Sequence, residues 1–252
     1  MWKILRARQH QGHRTIDYPR TVPAFPPLYR GLLRWEAEKC TDECALCVQV
    51  CPTGALEMQD QELQIDAGKC LFCGICEAAC PSKALHHTPE HRLATRTRTQ
   101  LVYAGKTLPR PEKLQADILK ILGRSLKIRV VSAGGCNACE SEVNALGNPL
   151  WDMSRFGVDI VASPRHADAL LVTGPVTENM RLALEKTYAA MPSPKVVIAT
   201  GACAISGGPF AQNPEQLGGA ASVVPVDLFI PGCPPDPLTI LDGILAILGR
   251  AG

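Results

Sequence analysis

The sequence has few aromatic residues and little surplus charge. Phe, Trp and Tyr make up 5% of the 252 residues, and the formal net charge is +2. A base-stacking nucleic-acid module needs aromatic side chains, and a polyanion-binding protein needs a marked excess of positive charge. The composition therefore gives no support to nucleic acid as a partner.

Long apolar runs and nucleotide-binding loops are also missing. No window approaches the roughly 20 apolar residues of a membrane-spanning helix, and the N-terminus turns basic before a signal-peptide core develops. We find no GxxxxGK[ST] loop and no Ser/His/Asp arrangement, and Gly207-Gly208 is too short a glycine run for a nucleotide site. We therefore expect a cytoplasmic protein without bound nucleotide, flavin or NAD.

Cysteine, in contrast, is abundant, and its number is informative. The chain has 12 cysteines and a hydrophobic content of 46%, enough for a sizeable core. A reducing cytosol disfavours disulfides and favours metal thiolates. Twelve is three sets of four, and four thiolates hold one [4Fe–4S] cluster. The count predicts three [4Fe–4S] clusters.

An internal repeat occupies the cysteine-rich segment. Residues 47–56 (CVQVCPTGAL) are echoed by residues 76–85 (CEAACPSKAL), and the matching cysteines lie 29 residues apart. The second copy has the bacterial ferredoxin spacing C-x2-C-x2-C-x3-C-P, in which the fourth cysteine ligates the other cluster. The first copy has the spacing C-x3-C-x2-C-x3-C-P. Its extra residue is accommodated as a bulge, or it accompanies a [3Fe–4S] cluster or a displaced ligand.

The exchange of the fourth cysteine assigns ligands to two clusters. One cluster takes Cys40, Cys44, Cys47 and Cys80. The other takes Cys51, Cys70, Cys73 and Cys76. A zinc module built on the CxxC pairs is the alternative, but it does not explain a duplicated run with Cys-Pro at each end.

The last four cysteines follow predicted strands. Apolar runs at 127–133, 158–162, 169–173, 196–200 and 223–230 alternate with helical stretches, among them 177–190 and 236–248, which predicts a mostly parallel α/β sheet. Ligands bind such sheets at the carboxyl ends of the strands. The cysteines at those ends are Cys136, Cys139, Cys203 and Cys233. A thioredoxin-type CxxC dithiol with two buried cysteines is the alternative.

The organisation predicted along the chain has four parts. Residues 1–35 are basic and punctuated by proline, and we expect an extended arm. Residues 36–90 form a ferredoxin-like α+β domain with two clusters, residues 91–126 a linker containing a short helix, and residues 127–252 the α/β domain. His86, His87 and His91 lie in a polar stretch and are expected on the solvated surface.

Four motifs surround the last cysteines and the loop after the second predicted strand of the C-terminal half. They are Gly134-Gly135-Cys136-x2-Cys139-Glu140, Ser163-Pro164-Arg165-His166-Ala167-Asp168, Gly201-Ala202-Cys203 and Pro231-Gly232-Cys233-Pro234-Pro235. Together they resemble the small subunit of group 4, membrane-bound [NiFe] hydrogenases, a family that includes formate hydrogenlyase-type complexes and is homologous to the 20 kDa-type subunit of complex I. The ferredoxin half resembles a neighbouring subunit of the same complexes, so the chain looks like a fusion of two electron-transfer subunits.

The resemblance implies a flavodoxin-like fold and a role in conduction. Cys136, Cys139, Cys203 and Cys233 would hold the proximal cluster beside an active site on a separate hydrogenase large subunit-like chain. Electron-donor and integral membrane subunits would complete an assembly at the cytoplasmic face of the membrane. This chain lacks the paired nickel-ligating CxxC motifs, so no nickel is expected in it. The complex I relatives usually have two adjacent cysteines where this chain has Cys136-x2-Cys139, which favours a hydrogenase relative.

Two other functions stay open at this stage. One is a complex I-like oxidoreductase subunit without nickel chemistry, which passes electrons to a quinone or another acceptor. The other is a stand-alone polyferredoxin carrier.

Four polar residues near the last cysteines have two interpretations each. Glu140 and Glu142 are either interface carboxylates, with Glu140 on a proton path, or helix N-terminal charges favoured by the macrodipole. By resemblance, Arg165 and His166 lie near the proximal cluster and tune its potential; otherwise they are ordinary structural residues.

Overall fold

Two small antiparallel sheets and one parallel sheet organise the protein. The computed structural model describes residues 1–40, 44–122 and 124–251. Its strands are β1 (Leu33–Trp35), β2 (Leu56–Gln59), β3 (Glu62–Asp66), β4 (Leu85–His87), β5 (Val102–Tyr103), β6 (Leu126–Ser132), β7 (Val158–Ile160), β8 (Ala169–Thr173), β9 (Val196–Thr200) and β10 (Leu228–Ile230). Its α-helices are α1 (Trp2–Gln11), α2 (Leu46–Gln49), α3 (Ile75–Ala79), α4 (Ala116–Leu122), α5 (Ala138–Ala145), α6 (Glu178–Ala190), α7 (Ala202–Ser206) and α8 (Pro237–Ile247). Within these residues, no helix combines the length and apolar character needed to cross a membrane.

The ferredoxin-like half is built from the two copies of the repeat. In the first copy α2 leads to β2, and in the second α3 leads to β4. The strands β2, β3 and β5 form one antiparallel sheet, and β1 pairs with β4 in another. The repeated leucines at the start of β2 and β4, Leu56 and Leu85, are both buried. The duplication seen in the sequence is therefore present as two matching units around one small core.

The C-terminal half contains the predicted parallel sheet. Its strand order is β10-β9-β8-β6-β7, and every neighbouring pair is parallel. Numbered within this half, the order is 2-1-3-4-5, the flavodoxin-like order. All five residues of β8 and of β9 are buried, which explains why these two strands read as continuous apolar runs. The prediction of a flavodoxin-like α/β fold is confirmed.

The two faces of this sheet bury different partners. One face, with Leu170 and Val197, belongs to the same apolar cluster as Leu63 and Ile65 of the ferredoxin-like half. The other face packs against α8, all of whose residues are buried. The sheet is thus covered on both sides, as a parallel sheet requires.

The segment after the ferredoxin repeat joins the halves rather than hanging free. Thr95 is fully buried and exchanges backbone hydrogen bonds with Phe229 of β10 at 2.9 and 3.0 Å. The Ser206 hydroxyl donates a 2.9 Å hydrogen bond to the Gly68 carbonyl, which ties α7 to the loop before Cys70. Part of the segment predicted as a linker is therefore structural, while the boundaries at 36–90 and 127–252 stay predictions.

The prediction of an extended arm over residues 1–35 was wrong in part. Residues 2–11 form helix α1, which buries none of its side chains, and β1 begins at Leu33. Between them, Tyr18 is 5% exposed and its hydroxyl donates to the carboxylate of Asp242 in α8. The arm therefore begins as a helix, and its proline-containing part, which follows α1, packs on the C-terminal half.

The prediction of solvated histidines was also wrong for two of the three. His91 is 2% exposed, with the Tyr18 and Phe25 rings 5.7 and 5.5 Å from its own. The side chain of His87 is 3% exposed, whereas that of His86 is 38% exposed. The polar composition of this stretch suggested an exposed segment, but β4 points His87 inward and the arm covers His91.

Candidate iron–sulfur sites

The set predicted for the second cluster lines one cavity. We call this set the middle site: it consists of Cys51, Cys70, Cys73 and Cys76. The cavity measures about 340 Å³ including its open mouth, and its walls are otherwise mainly apolar. The pKa of Cys70 is raised to about 12 and that of Cys76 to about 11, mainly by burial and in smaller part by neighbouring thiols. The chain thus brings together the four cysteines that the spacing had grouped.

The two Cys-Pro cysteines have matching surroundings. The Ala55 N–H donates to the Cys51 Sγ at 3.2 Å, and the Ala84 N–H donates to the Cys80 Sγ at the same distance. Burial raises the pKa of Cys80, but hydrogen bonds from backbone N–H groups and from Ser82 lower it overall. Backbone donors aimed at sulfur stabilise a thiolate, the form that binds iron.

The set predicted for the first cluster we call the first site: Cys40, Cys44, Cys47 and Cys80. Burial raises the pKa of Cys47, and the nearby thiols of Cys40 and Cys44 raise it further. The structure therefore groups three of the four, and the assignment of Cys80 to them stays a prediction. The extra residue of the first gap falls within residues 41–43, outside the described residues.

The last four cysteines meet at the carboxyl edge of the parallel sheet. We call them the third site: Cys136, Cys139, Cys203 and Cys233. Burial raises the pKa of Cys139 to about 12, and the other three thiols and Glu140 raise it too. Burial raises the pKa of Cys203 to about 11, with further contributions from Cys233 and Cys136. Cys139 lies in α5 and Cys203 in α7, so helices that follow β6 and β9 position them.

Glycine is required beside two of these sulfurs. Gly201 has φ +92°, and a Cβ there would lie 2.5 Å from the Cys139 Sγ. Gly208 has φ +54°, and a Cβ there would lie 2.9 Å from the Cys203 Sγ. These positions keep the space around the sulfurs free of side chains, as a bulky inorganic cluster needs.

The electrostatics of the three sets fit iron as the partner. The raised pKa values of Cys70, Cys76, Cys139 and Cys203 favour the neutral thiol in the apoprotein, because burial and repulsion between neighbouring thiolates disfavour the charged form. Iron cations would remove this repulsion and release the protons. Within the described ranges, no three His, Cys, Asp or Glu side chains meet closely enough to hold a single metal ion.

Neighbouring sites are in electrostatic contact at two points. Cys47 of the first site is among the thiols that raise the pKa of Cys76 in the middle site, after burial and closer thiols. Cys73 of the middle site raises the pKa of Cys233 in the third site, after burial and Cys136. Cys47 therefore lies near the middle site and Cys73 near the third site, and Leu71 and Phe72 line the same groove as Cys233.

Glu140 is held inside the protein rather than displayed on it. It is 8% exposed, it lies in the first turn of α5, and its carboxylate accepts a 2.6 Å hydrogen bond from the Thr173 hydroxyl. Burial raises the pKa of Glu140, but the Ser132 and Thr173 hydroxyls lower it overall. This environment favours the helix N-terminal interpretation.

Glu142 and the Arg165–His166 pair lie in more open positions. Glu142 lines a groove with Cys233 and Asp236, where burial and then the Asp236 charge raise the pKa of Glu142. Arg165 and His166 lie on a 3-10 helix (Pro164–His166) after β7, where neither is buried. Their predicted effect on the third site stays a prediction.

Sequence reasoning missed one residue of the middle site. His87 lines the cavity together with the four cysteines. Residues 29 apart correspond in the repeat, and His87 falls at the position of Met58.

Comparison with known proteins agrees with this architecture. Residues 136–247 match the family described as NADH ubiquinone oxidoreductase, 20 kDa subunit, and residues 39–84 match the 4Fe-4S dicluster domain. A probable membrane-bound hydrogenase subunit of Pyrococcus furiosus is 45% identical over 141 residues, which are 56% of this chain and 84% of that protein. An NADH-quinone oxidoreductase subunit of Clostridium beijerinckii is 45% identical over 114 residues, 45% of this chain and 68% of that protein.

Two further similarities are more partial. Formate hydrogenlyase subunit 7 of Escherichia coli is 46% identical over 136 residues, 54% of this chain, and the match spans 53% of that protein. A chain of an archaeal respiratory membrane complex, the membrane-bound sulfane sulfur reductase, is 31% identical in sequence with a TM-score of 0.47. That similarity covers 55% of this chain and 76% of the other.

The fold and the cysteine sets define an iron–sulfur protein of the oxidoreductase class. A parallel α/β half and a dicluster half are joined in one polypeptide. The chain belongs to the family of the 20 kDa subunit of NADH ubiquinone oxidoreductase, which its hydrogenase relatives share.

Proposed function

We propose that this chain relays electrons through three [4Fe–4S] clusters to the active site of a partner large subunit, in a membrane-associated [NiFe] hydrogenase. The clusters would supply one-electron redox chemistry at low potential. The first, middle and third sites would take the ligands predicted from the spacing, with Cys80 completing the first. The catalytic centre would lie on the partner, because each cysteine set is used in full by its own cluster.

The electrostatic contact between neighbouring sites is the observation that carries the proposal. The charge of Cys47 contributes to the raised pKa of Cys76, and the charge of Cys73 contributes to the raised pKa of Cys233. An electron that enters the first site would therefore have a continuous path to the sheet edge. There Cys136 and Cys233 are exposed, which suits transfer to a partner that covers them.

The choice of hydrogenase over a complex I-like complex rests on one spacing. Cys136 and Cys139 are separated by two residues, and the first turn of α5 carries Cys139 into the site. Relatives of both kinds match this chain at similar identity, so the complex I-like alternative, with a quinone or another acceptor, is the second candidate. Integral membrane subunits would hold either assembly at the cytoplasmic face.

The deciding experiment is metal analysis of the complex purified gently from its native source through a tag on this chain. About one nickel per chain, with hydrogen turnover, would support the hydrogenase proposal. No nickel with a large subunit present would favour the complex I-like alternative. A chain that elutes alone on size exclusion would favour a stand-alone polyferredoxin carrier.

The three-cluster relay needs its own readout. Cys139→Ser, Cys73→Ser and Cys44→Ser should each lower the iron content of the purified complex by up to about four atoms, the content of one cluster. Loss of the same cluster signal in two of the three variants would contradict three separate sites.

A further inference from the structure

His87 occupies a wall of the middle site. The β1–β4 pairing sets it opposite Leu33, and both side chains line the cavity formed by the four cysteines. His87 also lines an open groove together with residues of the arm between Val22 and Tyr29, and its side chain is 3% exposed. An imidazole is thus sealed into the protein beside the space that a cluster would fill.

The two ring nitrogens have different surroundings. Nδ1 lies 2.6 Å from a carboxylate oxygen of Glu77, the residue after Cys76. Nε2 is buried and has no hydrogen-bond partner within the described residues. A buried polar atom without a hydrogen-bond partner is energetically unfavourable, so such atoms normally have partners. In the middle site, the sulfur atoms of a bound cluster would provide one.

Two protons on the His87–Glu77 pair would make the ring a donor on both sides. One proton lies between Nδ1 and the Glu77 carboxylate, since two bare acceptors 2.6 Å apart would repel each other. A second proton, on Nε2, would make this buried, unpartnered atom a donor toward the cavity. Burial lowers the pKa of His87 overall, although the Glu77 hydrogen bond and charge raise it, so the second proton would need a sulfur acceptor in the cavity as its partner.

We propose that His87, oriented by Glu77, donates a hydrogen bond from Nε2 to the sulfur shell of the middle cluster and raises its reduction potential. The inference rests on the proposed function, because it requires a cluster in the middle site. A donor and a positive charge at the cluster stabilise its reduced, more negative state. The arrangement resembles the carboxylate–histidine pairs that orient ligands around metals, with the cluster sulfur in the place of the metal.

The repeat confines this effect to one of the two ferredoxin-like sites. In the first copy, Met58 stands in the place of His87 and Val48 in the place of Glu77. Neither side chain can donate a hydrogen bond, and Met58 is 37% exposed. Both members of the His–Glu pair are therefore specific to the second copy, which would separate the potentials of two otherwise similar clusters.

The test is a potentiometric titration of the purified complex followed by electron paramagnetic resonance. A Cys73→Ser variant identifies the signal of the middle cluster. In His87→Leu, the ratio of reduced to oxidised middle cluster at the wild-type midpoint should fall about tenfold, which is about 59 mV for a one-electron couple. Glu77→Gln should lower the midpoint potential of the middle cluster by less. His87→Gln should lower it less than His87→Leu does, because the amide can still donate. Met58→Leu should leave the midpoint unchanged.

The outcomes separate the inference from the proposed function. An unchanged middle-cluster midpoint in His87→Leu overturns the inference, and so does an equal shift of all signals. If His87→Leu fails to bind the middle cluster, the midpoint in Glu77→Gln is measured instead, and an unchanged midpoint there overturns the inference. Absence of any signal that Cys73→Ser alters would overturn the proposed three-cluster relay itself.

Discussion

Tyr18 and Asp242 meet in the interior of the protein although 224 residues separate them. The phenol donates to one carboxylate oxygen, and the Arg110 guanidinium holds the other at 2.5 Å. Asp242 is fully buried in an otherwise apolar helix. The arm, the segment before the α/β half and the C-terminal helix are thus joined at one carboxylate.

Replacing Tyr18 with Phe should destabilise the protein while preserving its shape. Loss of a hydrogen bond to a buried charged group costs about 1–3 kcal/mol. In a chain of this size, each kcal/mol corresponds to a fall in Tm of roughly 2–4 °C. Thermal unfolding of the cluster-loaded protein measures this fall in Tm. Tyr188→Phe, where Lys195 lies over the ring, is the matched control and should have a smaller effect.

Replacing Arg110 with Met should lower the free energy of unfolding at least as much as Tyr18→Phe does. It leaves the Asp242 carboxylate buried with its cation removed, and this costs up to about 3 kcal/mol because Arg110 is itself 38% exposed. Chemical denaturation compares the variant with Lys120→Met, which breaks an ion pair whose two side chains are 77% and 93% exposed. Equal effects of the two changes would argue against a structural role for the buried pair.

Gly201→Ala should cost the third cluster selectively. The new Cβ would lie 2.5 Å from the Cys139 Sγ, in a backbone conformation with φ +92°. The iron content should fall by about four atoms, while the ferredoxin-like clusters persist. Gly218→Ala is the matched control, since φ there is +78° but nothing lies within 4 Å of the added atom. If both variants lost the same iron, backbone strain rather than contact with sulfur would be responsible.

Asp66→Ala should loosen the loop that carries Cys70. The Asp66 carboxylate accepts hydrogen bonds from the Gly68 and Lys69 N–H groups at 2.9 and 3.2 Å and a two-pronged contact from Arg98. Without these hydrogen bonds the folded loop should be less stable by about 1.5 kcal/mol or more. The loop should then open more often, and iron release to a chelator should be about tenfold faster. The decay of cluster absorbance reports the rate. Asp117→Ala, at an exposed pair, should leave it unchanged.

The groups of cysteines that the structure brings together were largely predictable, because cluster chemistry dictates their spacing. The Cys-Pro repeat anticipated the cavity of Cys51, Cys70, Cys73 and Cys76. Continuous apolar runs predicted β8 and β9 at the observed residues, since strands buried on both faces admit few polar side chains. Such local rules also led to the parallel α/β sheet, whereas its flavodoxin-like order was implied by the family resemblance.

Contacts between distant segments could not be predicted in the same way. The burial of His87 and His91 depends on the arm and on β4, and no local pattern signals either contact. Asp242 was a visible exception in an apolar helix, but the sequence does not identify Tyr18 and Arg110 as its partners. The proximity of Cys73 to Cys233 likewise arises only when the two halves pack together.

The joining of the two halves by Thr95, Phe229, Gly68 and Ser206 has a kinetic consequence. When two separate proteins exchange electrons, dilution slows their encounter and salt weakens it. Here the middle and third sites are held together within one polypeptide, so electron transfer between clusters bound in them would be a first-order event. Its rate should be independent of protein concentration and of ionic strength, and the two sites are always present in equal number.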